Sequence, residues 1–236
     1  MRTLFAVLAV ALVAASGAAA RTTPLHVYAA TSLASFLPQF DNGAIYRFEG
    51  SSKLAALIEG GAHADVFASA NTSEPAALYA KGLVTKPVVF AHNSVVIVTP
   101  PANPGHVHSI DGLARHGVKV EIADTTVALG KYTLQILAKF RIHAVLANVV
   151  NRDDDVRAVI AKVEAGKVDA ALVYASDAQA AGAKVHVVPI PKRVQPAIAY
   201  AAAVVKASTH QAQAAAFVRL LRSPRAQRAL RAAGFR

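Results

Sequence analysis

The 236 residues contain no cysteine and no tryptophan, a single methionine, and only 14 acidic side chains against 25 lysines and arginines. Without cysteine there can be no disulfide to brace the fold and no thiol to carry a lipid anchor. Long apolar runs are equally scarce. The one at Leu4 to Ala15 follows Met1-Arg2-Thr3 and leads into Ser16-Gly17-Ala18-Ala19-Ala20. A basic start, a short apolar middle and a small-residue end describe a secretory signal peptide, with cleavage expected after Ala20. No later run is long and apolar enough to span a bilayer. The expectation is an exported, soluble protein of the bacterial periplasm, where a domain without disulfides is at home.

Catalytic and metal signatures are missing too. No Gly-x-Ser-x-Gly elbow and no Ser-x-x-Lys occurs. Gly130-Lys131 lacks the upstream glycine and following hydroxyl of a phosphate-binding loop. Of nine histidines, only His106 and His108 lie close together, in a proline-rich stretch that reads as a solvated loop. The sequence thus points to no enzyme, no cofactor and no metal site. The formal charge of +11 would suit nucleic acid, an anionic membrane or small anions, but it reads first as a solvated basic surface. Arg219, Arg222, Arg225, Arg228 and Arg231 recur every three residues, but Ser223-Pro224 splits them between two helices. No aromatic platform accompanies them, so they read as solvated helix faces and no nucleic-acid partner is expected.

Strand-like and helix-like segments alternate along the chain, which implies an α/β protein with largely parallel sheets. Leu25 to Thr31, Ala44–Gly50, Asp65–Ala70, Val118–Asp124, Val168–Tyr174, Lys184–Ile190 and much of Ala197–Val205 read as strands. Val88 to Val98 reads as one long β-rich stretch. Leu54, Leu57 and Ile58 form one helical face behind Ser51, which is expected to cap that helix, as Ser32 is expected to cap a short one from Leu33. Asn71 to Glu74 starts a further helix, Gly130–Phe140 is another, and Asp153-Asp154-Asp155 opens the next. Ser208 with Gln211 has capping-box spacing, and Ser223-Pro224 is a cap and first-turn pair. The chain is expected to pass between two lobes near Pro100–Pro104 and near Pro196–Val205. The expected division is residues 21–90 with 200–236 in lobe 1 and 91–199 in lobe 2.

Ligands of open α/β sheets lie beyond the carboxyl ends of strands. The residues there are Ser32, Ser51, the Val127-Ala128-Leu129-Gly130 turn, the Asp155-Val156 helix start and Tyr174. Hydroxyls and free helix-start N–H groups make a cluster of donors suited to negative charge. Lys53 is close in sequence, but a helical turn should carry it away from the Ser51 hydroxyl.

Tyr28-Ala29-Ala30-Thr31-Ser32-Leu33, Phe48-Glu49-Gly50-Ser51-Ser52-Lys53-Leu54 and Gly61 to Ala70 resemble, in order, three blocks of the periplasmic molybdate-binding proteins of ABC transporters. Val127 to Tyr132, Asp155-Val156-Arg157, Leu172 to Ala178 and the tail from Ser223 to Phe235 extend the resemblance over nearly the whole mature chain. It implies a two-lobed type II periplasmic binding protein fold closing over a tetrahedral oxyanion. It also implies hydroxyl ligands at Ser32, Ser51 and Tyr174, backbone N–H ligands at Leu129 and Val156, and a monomer that meets an inner-membrane permease. Three departures stand out. The Ser32 to Phe48 segment is short, the turn before Gly130 is short with Ala128 in place of proline, and Leu129 stands where alanine is usual. A leucine there is compatible with a backbone ligand only if its side chain points away.

Molybdate, tungstate and sulfate carry no proton at neutral pH and need only donors. Phosphate keeps a proton and needs an acceptor. Asp124 and Asp155 are the carboxylates nearby, and both read as helix caps. The reading is capture of molybdate, with tungstate as a near-equal ligand. The alternatives are another oxyanion, sulfate or phosphate, and a secreted hydrolase using Ser51 or Ser32.

Overall fold

The computed structural model describes residues 23–236, so the expected signal peptide lies outside the described residues. The chain begins with β1 (His26–Ala30), a 3-10 turn at Thr31–Leu33, α1 (Leu37–Phe40), β2 (Ile45–Glu49), α2 (Ser51–Glu59), β3 (Val66–Ser69) and α3 (Ser73–Ala80). It continues through β4 (Val88–Asn93), β5 (Val95–Thr99), β6 (Val120–Ala123), α4 (Ala128–Phe140), β7 (Val149–Asp153) and α5 (Val156–Glu164). Then come β8 (Ala170–Tyr174), α6 (Ala175–Ala181), β9 (His186–Val188), β10 (Ile198–Val204), α7 (Gln211–Leu220) and α8 (Pro224–Ala232). None of the described helices is long and apolar enough to cross a membrane.

The strands form two five-stranded sheets, ordered β2-β1-β3-β10-β4 and β7-β6-β8-β5-β9. Both are mixed rather than largely parallel. In the first, β1 runs parallel to β2 and β3, while β10 is antiparallel to β3 and β4. In the second, β6 runs parallel to β7 and β8, while β5 is antiparallel to β8 and β9. The reason is connectivity: β5 and β10 are the strands that arrive from the other sheet, and each inserts against the local direction.

The first sheet is covered on both faces, as side-chain alternation requires. Tyr28, Phe67 and Ala203 face one way, onto Leu54 and Ile58 of α2 and Leu78 of α3. Val27, Ala29, Val66, Ala68 and Ala202 face the other, into the main core with Phe36, Leu37, Phe217 and Leu230. That core continues into the second sheet through Ile97, Ile122 and Leu172, under Ile136 of α4 and Val159 and Val163 of α5.

The stretch from Val88 to Val98 is not one strand. Asn93 Oδ1 accepts the Ser94 N–H at 2.9 Å, and the Ser94 carbonyl accepts the Ala175 N–H at 2.8 Å. These bonds take Ser94 out of the first sheet's ladder, and the chain enters the second sheet at Val95. A local side-chain bond competing with the ladder gives no hydrophobic signal in the sequence. β7 also went unread, because its Val149-Val150-Asn151-Arg152-Asp153 is mostly exposed at a sheet edge and lacks alternation.

Helix starts differ from expectation in an instructive way. Gly50, not Ser51, is the cap residue of α2, and Ser32 lies inside the 3-10 turn. Both hydroxyls are therefore left for other partners. α7 is capped at His210 without a side-chain bond. Ser208 Oγ instead bonds the Asp65 carboxylate and accepts the His210 N–H, and Gln211 donates to Val205, Lys206 and Ser208 carbonyls. The Ser223-Pro224 start of α8 is as expected, with Ser223 Oγ accepting the Ala226 N–H at 3.1 Å.

One charged cluster holds β6, β7 and α5 together. Lys162 Nζ lies 2.6 Å from Asp153 Oδ2 and 3.2 Å from Glu121 Oε1, and Glu121 is fully buried. Burial raises the Glu121 carboxyl above its usual range, although Asn151 and Lys162 oppose it. Replacing Lys162 by methionine leaves two carboxylates facing each other without a cation. Lys162→Met should cost about 3 kcal/mol in urea unfolding. An unchanged midpoint would show that the cluster contributes nothing.

Candidate functional site

The strand ends that sequence reasoning selected meet at one place. Ser32, Ser51, Leu129, Val156 and Tyr174 all line a single hollow of about 20 Å³, together with Thr31, Gly50, Ala70, Val127 and Asp154. It opens into a wider mouth of about 520 Å³ bounded by Glu49, Ser52, Lys53, Thr126 and Asp155. A sphere the size of water occupies about 10–15 Å³ on this measure, so the hollow as it stands has room for little more than one water-sized group.

Helix geometry supplies the hollow with donors. The first N–H groups of an α-helix have no partner within it, and the helix dipole is positive there. α2 starts at Ser51, α4 at Ala128 and α5 at Val156, so three such ends converge. Leu129 is the second residue of α4, and its side chain is buried in the main core. That satisfies the condition set by its bulk. Gly130 is the reason the turn can be so tight. A Cβ there would stand 2.0 Å from the Asp124 carbonyl oxygen.

Three hydroxyls complete the lining. Ser51 Oγ accepts the Ala70 N–H at 3.0 Å, which leaves its own proton free. Ser32 Oγ is 2.8 Å from the Tyr200 hydroxyl. The Tyr174 hydroxyl is buried and has no hydrogen-bond partner among the described residues. Burial first, with Tyr200, Tyr132 and Asp177 adding to it, raises the Tyr174 phenol well above its ordinary value. It remains a neutral donor. Among the described residues, no lysine, arginine or histidine lines the hollow. Lys53 stands in the mouth with Nζ 2.6 Å from Glu49 Oε2.

The nearby carboxylates are occupied or turned outward. Asp155 caps α5, accepting the Arg157 N–H at 2.8 Å, as expected. Asp124 caps no helix. Its Oδ1 accepts the Thr126 N–H at 2.8 Å in a side-chain turn, because α4 begins only after Val127. Asp154 reads in the sequence only as part of a helix start. It lines the rim, and the atom it turns toward Gly50 is its backbone carbonyl oxygen.

The two halves touch at Gly50. Its φ of −59° and ψ of 140° are open to any residue, so the backbone does not demand glycine. A Cβ there would lie 2.8 Å from Val127 Cγ1, across the cleft. Close approach of the lobes is what excludes a side chain.

Asp177 sits one turn beyond Tyr174 in α6. Its Oδ2 is buried without a partner, and burial pushes its carboxyl up to about 8, with the Asp155 charge adding and the Tyr174 backbone opposing. The folded carboxyl then keeps a proton that the unfolded chain loses near pH 4. The folded state binds more protons in that window, so stability falls as pH rises from about 4 to about 8 and levels off above. Thermal unfolding should show a smaller decline between pH 5 and pH 8 in Asp177→Asn than in the parent. Parallel declines would mean that Asp177 is not the group responsible.

A sequence pattern for bacterial extracellular solute-binding proteins matches residues 25–236. The chain is 37% identical over 191 residues to a molybdate-binding protein, ModA, of Mycobacterium bovis, covering 80% of this chain and 72% of that one. In fold it is similar to the periplasmic molybdate-binding protein of Azotobacter vinelandii, with a TM-score of 0.80 and 21% identity over 90% of this chain and 98% of that one. The sulfate-binding protein SubI of Mycobacterium tuberculosis is comparably similar, with a TM-score of 0.79 and 22% identity over 91% and 86%. The shared architecture therefore does not choose between oxyanions.

Proposed function

Because the chain belongs to the bacterial extracellular solute-binding proteins, we propose that it captures molybdate, with tungstate as a near-equal ligand, and delivers it to an ABC permease. The first lobe would carry β1 to β4, β10 and the C-terminal helices, and the second β5 to β9. The anion would lie between them, held by the Ser32, Ser51 and Tyr174 hydroxyls and by the N–H groups of Leu129 and Val156. The protein would work in the periplasm as a monomer, without cofactor or nucleic acid.

One observation carries this reading: Tyr174, whose buried hydroxyl has no partner among the described residues, lines a hollow at three helix starts to which the described residues contribute no cationic side chain. An orphaned buried polar group costs about 1–3 kcal/mol, which an acceptor arriving in the hollow removes. A dianion with four oxygens and no proton uses donors from both lobes at once. Hydrogenphosphate would bring a proton that needs an acceptor, and the Asp124 and Asp155 carboxylates are engaged in their own turns. The 37% identical molybdate-binding relative favours molybdate over sulfate. The hydrolase reading lacks chemistry: neither Ser32 nor Ser51 has a histidine or lysine among its hydrogen-bond partners.

Titration with molybdate, tungstate, sulfate and phosphate, followed by tyrosine fluorescence, tests the assignment. Molybdate and tungstate should bind most tightly, and sulfate outcompeting molybdate would overturn the choice of ligand. Ser51→Ala and Tyr174→Phe should each weaken molybdate binding about tenfold or more while leaving the fold intact. Unchanged affinity in both would remove the site.

Closure makes a separate prediction. Gly50→Ala should leave unfolding of the unliganded protein unchanged, since its backbone angles suit alanine. It should weaken anion binding by about 1–3 kcal/mol, the usual cost of overpacking. Equal affinity would show that the lobes need not meet at this point.

A further inference from the structure

The positive charge of this chain is not spread evenly along it. No acidic residue follows Asp177, whereas ten of the 25 lysines and arginines do, so residues 178–236 carry +10 of the formal +11. Six of those ten are Arg219, Arg222, Arg225, Arg228, Arg231 and Arg236, in or beside α7 and α8, and all six are exposed. Among the described residues, none of the six pairs with an acidic side chain. Arg225 lies over the Phe40 ring instead, 5.4 Å from its centroid.

α8 presents these charges as a fixed surface. Ala226 and Leu230 are buried on its inner side, while Arg225, Arg228 and Arg231, three residues apart, form one outward row. About 4.5 Å of helix axis separates each arginine from the next. Beyond the helix, Phe235 packs against Phe36 and Tyr200. Arg236 then exchanges two backbone hydrogen bonds with His92 of β4, at 2.8 and 2.9 Å. Such a row works against the helix that bears it. Like charges at this spacing repel one another. Arg225 also stands in the first turn, where the dipole favours an anion and no acidic residue is present. A local rule broken without compensation inside the fold points to a partner outside it.

We propose that the arginine row of α8, with Arg219, Arg222 and Arg236 beside it, is a docking surface for an anionic phospholipid membrane. A fluid sheet of phosphates meets guanidinium groups that the protein leaves unpositioned, whereas a folded acidic partner would need them held in place. A single-stranded nucleic acid would need exposed aromatic rings for its bases to stack on, and neither helix offers one. The large hydrophobic side chains that are exposed, Ile45, Tyr79, Val89, Val150 and Val187, all lie outside α7 and α8. Nothing on these helices therefore enters the acyl layer. Contact is with headgroups, reversible, and screened by salt. The inference does not depend on which anion the cleft takes.

The test is cosedimentation with lipid vesicles of the chain from Arg21, without the apolar leader that would itself enter a bilayer. Vesicles of phosphatidylcholine alone should not bind it, and vesicles that also contain phosphatidylglycerol should. Each arginine lost near an anionic surface weakens binding roughly fivefold, so Arg225→Gln, Arg228→Gln and Arg231→Gln together should cost on the order of a hundredfold. Lysine at the same three positions should keep binding within about threefold, because charge and not guanidinium geometry is read. Glutamine at Lys192, Arg193 and Lys206 changes the net charge equally, outside these helices, and should cost less than about tenfold. Equal binding to both kinds of vesicle, equal loss in the two glutamine variants, or loss in the lysine variant would overturn the proposal. Tighter binding to a polyglutamate peptide than to the anionic vesicles would overturn it in favour of an acidic protein segment. Should the triple glutamine variant not fold, Arg228→Glu places an ion-pair partner between Arg225 and Arg231 and should weaken vesicle binding about tenfold or more. Unchanged binding there overturns the proposal equally.

Discussion

A doubly negative ion taken out of water must have its charge met on every side, and the proposed site would meet it with neutral donors. Three helix starts and three hydroxyl-bearing residues surround a space that, among the described residues, no lysine, arginine or histidine lines. Dipoles fixed by the backbone need no reorientation when an anion arrives, and they favour it through the low dielectric of the interior. A cation would attract any anion of the right size. Directed N–H and O–H groups also ask where the acceptors are and whether the ion carries a proton.

The architecture follows from placing those donors on two sheets. Ser32 and Ser51 follow strands of the first sheet, while Leu129, Val156 and Tyr174 stand at strand ends or helix starts of the second. Neither sheet alone carries the whole of the proposed shell. The chain changes sheets at Ser94 and returns with β10, so the connections run directly behind the hollow. Asn93, Ser94, Ser176 and Tyr200 are buried there. A polar network at that depth is stable only when every member is satisfied. Asn93 meets that demand with both ends of its amide. Gly50 is the complementary feature at the front, where a missing side chain lets the halves approach.

What could be read from the sequence was what repeats or alternates. The apolar spacing of α2, α4 and α5 placed their first turns within a residue or two, and strand-end reasoning then found Ser51, Leu129 and Val156. Roles of hydroxyls were harder. Ser51 and Ser32 looked like helix caps, because a serine before an apolar periodic stretch usually is one. Gly50 takes the cap of α2 instead, and the freed Ser51 oxygen turns to Ala70. Ser208 with Gln211 had capping-box spacing, yet the Asp65 carboxylate holds that serine through a contact from far along the chain. The break at Ser94 and the part played by Tyr200 left no trace in periodicity. Tyr200 reads as one more core residue of an alanine-rich strand, and only the fold shows its hydroxyl 2.8 Å from Ser32 Oγ.

The basic balance of the whole chain and the absence of cations at its centre are two parts of one arrangement. A formal charge of +11 raises the local concentration of anions at long range, an effect that salt screens and that does not distinguish one dianion from another. At the mouth that attraction is already blunted, because Lys53 is paired with Glu49 and Asp155 is tied to Arg157. Inside, only short-range directed bonds remain, and these fall away steeply with misplacement. Encounter can therefore be indiscriminate while retention is selective. If a lysine sat in the hollow, the same charge would serve both tasks and the distinction between a bare and a protonated oxyanion would weaken. Keeping the cations on the surface would leave that distinction to the hydroxyls and helix-start N–H groups of the proposed site.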